Sequence, residues 1–160
     1  MLFYVKKSVN VGGYPWFNGH FHFIRCVYVR VLLLSAFADV FFQFRSVDQV
    51  EAVKASLLSD RRILRATHNI LAYRITLPST NATLHNNDDD GEDAAGGRLA
   101  HLLELVGATN VVVVVSRWYG GVQLGPDRFR HINNVARQLL DSCGFVTRER
   151  RGAKAKTKAK

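Results

Sequence analysis

The chain has 160 residues, enough for one domain, with 48% hydrophobic residues and a formal net charge of +9. Its two cysteines, Cys26 and Cys143, exclude a disulfide framework and a zinc-ligand spacing; they read as reduced, buried thiols of a reducing compartment. The charge is local: residues 148–160 hold seven Lys/Arg and one Glu, whereas residues 88–104 hold six acids against Arg98, so net charge describes a tail rather than a domain.

Residues 1–45 form an atypical N-terminal extension, with eight of the ten Phe and only six charged residues. Aromatic and β-branched residues dominate from Phe21 to Leu34, the pattern of one or two strands. Two other readings stay open. One is a sequence foreign to the domain that follows. The other is a targeting segment, with Val31–Ala38 as a short apolar core and Ala36-Phe37-Ala38 as a small-residue cleavage site. Arg30 and Asp39 interrupt the apolar run, so neither a bilayer span nor a membrane partner is expected.

Residues 46–147 read as an ordinary globular domain. Ser46 and Gln49 have capping-box spacing. Val47, Val50, Val53 and Leu57 then repeat at helical spacing to about Leu58. Residues 68–77 alternate as a strand that Pro78 ends. Residues 79–91 are polar and turn-forming, an expected exposed loop. Leu99, Leu102, Leu103 and Val106 make a helical stripe closed by Gly107. Val111 to Val115 are five consecutive valines, a strand buried on both faces. A Gly-rich loop is expected from Trp118 to Pro126. Asp127 then opens a helix whose Phe129, Ile132, Ala136, Leu139 and Cys143 share a face, with Gly144 closing it. Residues 148–160 cannot bury apolar surface and are expected to form a disordered basic tail. The element order gives an α+β fold, a two-layer sandwich with helices on one face of a sheet.

The densest acid cluster is Asp88-Asp89-Asp90-Gly91-Glu92-Asp93. Acids just before a helix complement its dipole. A magnesium or calcium site and an acidic docking surface are the alternatives, but the EF-hand spacing is missing. Gly96 and Gly97 open the following helix, which implies close backbone approach by the sheet or a ligand. Ser116 through Gly121 follow the valine run. Arg117, Trp118 and Tyr119 are side chains of interface hot spots and of base stacking. They would equally suit packing, with Arg117 paired to the acids. Arg128, Arg130 and His131 make a modest basic patch. Ser116 lacks a nucleophile elbow, and His68 and His101 read as structural. Asn81-Ala82-Thr83 matches a glycosylation acceptor that matters only in a secreted chain. No catalytic residue, metal or cofactor is expected.

Several ordered motifs resemble the conserved domain of the IMPACT family. They are His68-Asn69-Ile70 with Ala72-Tyr73-Arg74-Ile75, Asp89-Asp90-Gly91-Glu92, Ala94 through Leu99, Val113 through Gly121, Leu124 through Phe129, and His131-Ile132-Asn133-Asn134. The resemblance implies a fold like the second domain of ribosomal protein S-five and the fourth domain of elongation factor G. It implies a non-catalytic, cytoplasmic translational regulator. Such a protein binds the ribosome-associated activator of the starvation-sensing kinase that phosphorylates initiation factor two, and so restrains that kinase. An actin association is also implied. RNA or ribosome binding through the basic tail is the alternative. The expected contact surface is Asp90, Glu92, Arg117, Trp118, Tyr119, Arg128 and His131. Eukaryotic members place an RWD domain before this one and bacterial relatives add a ferredoxin-like domain after it; residues 1–45 resemble neither. Val40-Phe41-Phe42-Gln43-Phe44 stands where the family's first strand belongs without matching its pattern.

Overall fold

The structure is a computed structural model. It describes the backbone pairing of residues 2–4, 23–31 and 34–42, and residues 44–121 and 123–146 in full. The basic tail and the Cys26 side chain lie outside the described residues.

Among the described residues, six strands form one antiparallel sheet: β1 (Leu2–Tyr4), β2 (Phe23–Val31), β3 (Leu34–Phe42), β4 (His68–Thr76), β5 (Thr83–Asp88) and β6 (Val111–Tyr119). Their spatial order is β1-β2-β3-β6-β4-β5. The valine run therefore lies inside the sheet, between β3 and β4, where β-branched side chains pack on both faces of the pleat. The helices are α1 (Val47–Leu58), the single turn α2 (Arg61–Leu64), α3 (Ala95–Val106) and α4 (Asp127–Ser142).

Alternation along β4 and β6 divides the core in two. Ile70, Ala72, Val111, Val113 and Val115 meet Leu99, Leu102 and Leu103 of α3 and Ile132, Ala136 and Leu139 of α4. Leu71, Tyr73, Ile75, Val112 and Val114 meet Phe44, which precedes α1, Val50, Val53 and Leu57 of α1, and Ile63 of α2. The fold is α+β as expected, with α3 and α4 as one helix layer. Helices on one face only would have left Val112 and Val114 in water; α1 and α2 cover that second face.

Three local expectations are corrected. Residues 83–88 are not loop but the edge strand β5, which pairs with β4 from Thr83↔Thr76 to Asp88↔Leu71. An edge strand is held by backbone bonds and exposes most of its side chains, so it shows no apolar alternation. Ser46 occupies the N-cap of α1 without a side-chain cap bond. Gln49 Oε1 instead accepts from the Arg45 amide at 2.8 Å, one residue earlier than a capping box requires. Finally, Trp118 and Tyr119 continue β6 rather than opening a loop. By contrast, α3 ends as read, at Gly107 with φ +69°, the left-handed conformation glycine adopts without a Cβ penalty. Cys143 packs against the α3–α4 core, and burial pushes its thiol above the usual range, so it stays protonated at neutral pH.

Leu139 is fully buried between α4 and the sheet. Leu139→Ala is expected to lower unfolding free energy by about 2–5 kcal/mol, read as a lower urea midpoint at unchanged slope. An unchanged midpoint would show that this layer carries little of the stability.

Candidate partner-binding site

The acid cluster, the end of β6 and the start of α4 converge at one end of the sheet. Glu92 joins them. It is 5% exposed, as is Arg117, although both were expected on an accessible contact surface. Arg117 Nη1 donates to Glu92 Oε2, and Arg128 Nε donates to Glu92 Oε1 at 2.5 Å. His68 Nε2 lies 3.5 Å from Glu92 Oε2. One buried carboxylate thus ties the loop before α3 to β6, α4 and β4. A buried charge holds its place only when such partners replace water. Arg117 pairs with the acid cluster as the packing alternative had it, and among the described residues its buried Nε has no hydrogen-bond partner.

The other acids of the cluster are committed to backbone. Asp89 accepts from the amides of Ala94 at 3.1 Å and Gly96 at 2.5 Å, so it caps α3 from outside the helix. Gly96 is required here, because a Cβ would lie 2.7 Å from Asp89 Oδ1 and 3.0 Å from the Asp88 backbone. The close approach expected at this glycine is therefore that of β5 and the loop after it. Asp90 Oδ2 accepts from the Asn69 amide at 2.7 Å, and its carbonyl meets His68 Nδ1 at 2.8 Å. Asp88 takes Lys54 Nζ at 2.7 Å and the Asp90 amide at 3.0 Å. Lys54 holds the Asp88 carboxyl below its ordinary range; Asp88 in turn raises the Lys54 ammonium.

These bonds hold an unusual backbone. Asp90 (φ +45°) and Ala94 (φ +65°) are left-handed, with Gly91 (φ +82°) between them. Left-handed non-glycine residues persist only where the surroundings over-determine them. The bracing extends to the end of β6: Thr67 N donates to Arg117 O at 2.8 Å, and Tyr119 N donates to Thr67 Oγ1 at 2.9 Å. Arg128 also donates through Nη1 to Gly125 O at 2.8 Å, and its guanidinium sits 4.1 Å from the Phe129 ring centre. Arg98 stacks on the same ring at 4.4 Å.

The expected contact residues therefore separate. Glu92 and Arg117 are interior supports, and Asp90 is exposed but braces β4. Arg128 and His131 at the start of α4 are half-buried, as is Trp118, which alternation along β6 assigns to the α1–α2 face, and Tyr119 is 51% exposed. Arg98 and Phe129 belong to this rim and were missed as site residues, since nothing in their spacing reveals a stacking between α3 and α4. Among the described residues, no group of three or more His, Cys, Asp or Glu is placed to hold a metal ion. No helix among them is long and apolar enough to cross a membrane.

Fold and site define an α+β domain whose one end is a rim locked by buried ion pairs and built around an acidic turn. The Impact N-terminal domain profile matches residues 34–140, and the chain belongs to the IMPACT family. The match starts at Leu34, inside the segment read as an extension, and takes in β3. Protein IMPACT of Rattus norvegicus is 52% identical over 114 residues, which cover 71% of this chain and 36% of that protein. The Homo sapiens protein is 50% identical over 112 residues, covering 70% and 35%. The chain thus spans about a third of the length of these relatives. Among solved structures, the two-domain translational regulator Yih1 is similar with a TM-score of 0.54 and 33% identity, over 89% of this chain and 55% of Yih1. A hypothetical protein is similar with a TM-score of 0.59 and 25% identity, over 72% of this chain and 56% of its own.

Glu92→Gln keeps the shape but leaves two guanidiniums without their anion. It is expected to cost about 3 kcal/mol, the low end for a broken buried pair because Arg128 is part-exposed. Adding Arg117→Met should recover part of the loss in chemical denaturation. Recovery of none would mean that the pair is not the source of the cost. For the half-exposed Lys54–Asp88 pair the effect is smaller. Asp88→Asn should lose about 0.2–1 kcal/mol at neutral pH. The folded carboxyl is depressed, so its contribution is full above the ordinary value of 3.8. It fades as pH falls through the folded value. Melting curves of variant and wild type should converge in that acid range.

Proposed function

We infer that this chain is a non-catalytic translational regulator of the cytoplasm that binds the ribosome-associated activator of the starvation-sensing initiation-factor-two kinase and so restrains that kinase in the response to amino-acid starvation. Membership of the IMPACT family and similarity to the translational regulator Yih1 support this reading. The observation that carries it is the rim. Tyr119 is exposed two positions past Arg117 on β6, and Arg128 is part-exposed at the start of α4, both on elements that Glu92 ties together, with Trp118 and His131 half-buried on those same two elements. Aromatic and arginine side chains held in one arrangement bind with little ordering cost. A macromolecular contact is also the use left to the acid cluster. Both oxygens of Asp88, Asp89 and Glu92 accept hydrogen bonds within the fold, so none of the three serves as a free base. Glu92 and Arg117 act here as supports, and Asp90, Trp118, Tyr119, Arg128 and His131 as the accessible contacts.

The seven Lys/Arg of residues 148–160 favour a second reading, an RNA- or ribosome-binding module without kinase regulation. Phosphate contacts would make affinity fall steeply with salt.

Affinity for the activator is the measurement that tests the first reading. The double substitution Tyr119→Ala with His131→Ala is expected to weaken it at least tenfold while leaving the melting temperature near wild type. Equal affinity of variant and wild type would remove this rim as the contact surface. Deletion of residues 148–160 separates the second reading: it should abolish salt-dependent ribosome association and spare activator binding.

A further inference from the structure

The opposite face of the sheet carries a feature that shares only Asp90 with the rim. Between α1, α2 and the sheet lies a slot of about 50 Å3, walled by Leu57, Leu58, Ile63, Leu71 and Val114. Half-exposed Lys54, exposed Asp90 and Asn69 complete its lining, so it reaches the surface. A cavity of roughly 150 Å3 holds benzene, so a slot one third that size takes a small aliphatic side chain and not a ring.

The surroundings specify what that side chain belongs to. Ile63, one wall of the slot, is the buried residue of α2; its neighbours Arg61, Arg62, Leu64 and Arg65 are all exposed, Leu64 at 62%. Asp60 caps α2 through the Arg62 amide and lies 3.5 Å from the Arg62 guanidinium. Among the described residues, Arg61 and Arg65 have no carboxylate partner. The one carboxylate in the lining, Asp90, already accepts from the Asn69 amide, so the two unmatched cations of α2 favour an acidic partner. Leu64 decides between acidic partners: an exposed leucine gains from apolar protein surface, whereas a nucleic-acid strand is held by phosphate contacts and aromatic stacking. We propose that the α1–α2 corner is a docking site for a partner-protein segment in which one small aliphatic residue, seated in the slot, is flanked by acidic residues that meet Arg61 and Arg65. This rests on the protein-binding reading above for the class of partner and adds a second contact on the other face.

Amide NMR of the full chain tests it with a short synthetic peptide carrying one valine between aspartates and glutamates. The peptide should shift the resonances of Leu57, Ile63 and Val114 in a saturable titration. Arg61→Glu with Arg65→Glu, both on exposed positions, should weaken the apparent affinity about tenfold and flatten its salt dependence. Leu58→Phe, which fills the slot, should weaken it similarly at unchanged salt dependence; a melting temperature near wild type checks each fold. Absence of saturable shifts, or wild-type affinity in both variants, overturns the docking site, whatever the activator does. An oligouridylate that shifts the Arg61 and Arg65 amides where the peptide shifts nothing assigns the corner to nucleic acid and also overturns it. If the peptide binds as described but the activator does not, the regulator reading falls and the docking site stands.

Discussion

The rest of this end of the molecule depends on one carboxylate. Glu92 has both oxygens occupied by guanidiniums from different elements, β6 and α4, and its backbone closes the turn into α3 through the Ala95 amide at 3.0 Å. Removing a charge from water costs several kcal/mol, and only partners in fixed positions return it. The arrangement is therefore nearly all-or-none. If Arg117 or Arg128 leaves, one oxygen of Glu92 must find water, and the turn before α3 loses its tie to β6 or to α4. Low stability is commonly found at binding surfaces; here the rim is instead tied to the global fold through a buried ion.

Legibility from sequence followed how local the cause was. The valine run required apolar cover on both sides, and the structure supplies it from α1 and α2 on one face and α3 and α4 on the other. The stripe of α3 and its glycine stop were readable because period and cap lie within one segment. The strand β5 was not, since Thr83 to Asp88 gains its structure from the backbone of β4, a partner that alternation does not record. The same limit hid α2, a single turn with one buried residue.

At the site, residue types were legible and their depth was not. Asp89-Asp90-Gly91-Glu92 announced a helix start, which Asp89 provides by accepting from Ala94 and Gly96. Nothing in that tetrad separates Glu92, which is buried, from Asp90, which is exposed. The difference comes from Arg117, twenty-five positions later, reaching back from the strand. Likewise Arg117 and Tyr119, two positions apart in β6, read alike as contact residues. One is roofed by α4 through Arg128 and Glu92; the other lies past the end of that cover.

The conversion of acids into supports has a consequence for charge recognition. A cluster of free carboxylates would present a strongly negative surface. Here Glu92 is neutralised inside by arginines, and Asp88 by Lys54. Asp89 is spent on the α3 amides. The rim that remains sets exposed Asp90 and Asp93 beside Arg98, Arg128 and Tyr119. Charges of both signs drawn from the acidic turn, α3 and α4 are poorly matched to the uniform negative charge of a phosphate backbone. They match a surface that itself alternates in sign, which is how protein interfaces fix register and reject wrong partners. The same carboxylates that made a metal site conceivable in the sequence therefore make, once folded, a mixed-sign edge whose selectivity rests on where Glu92 holds its two arginines.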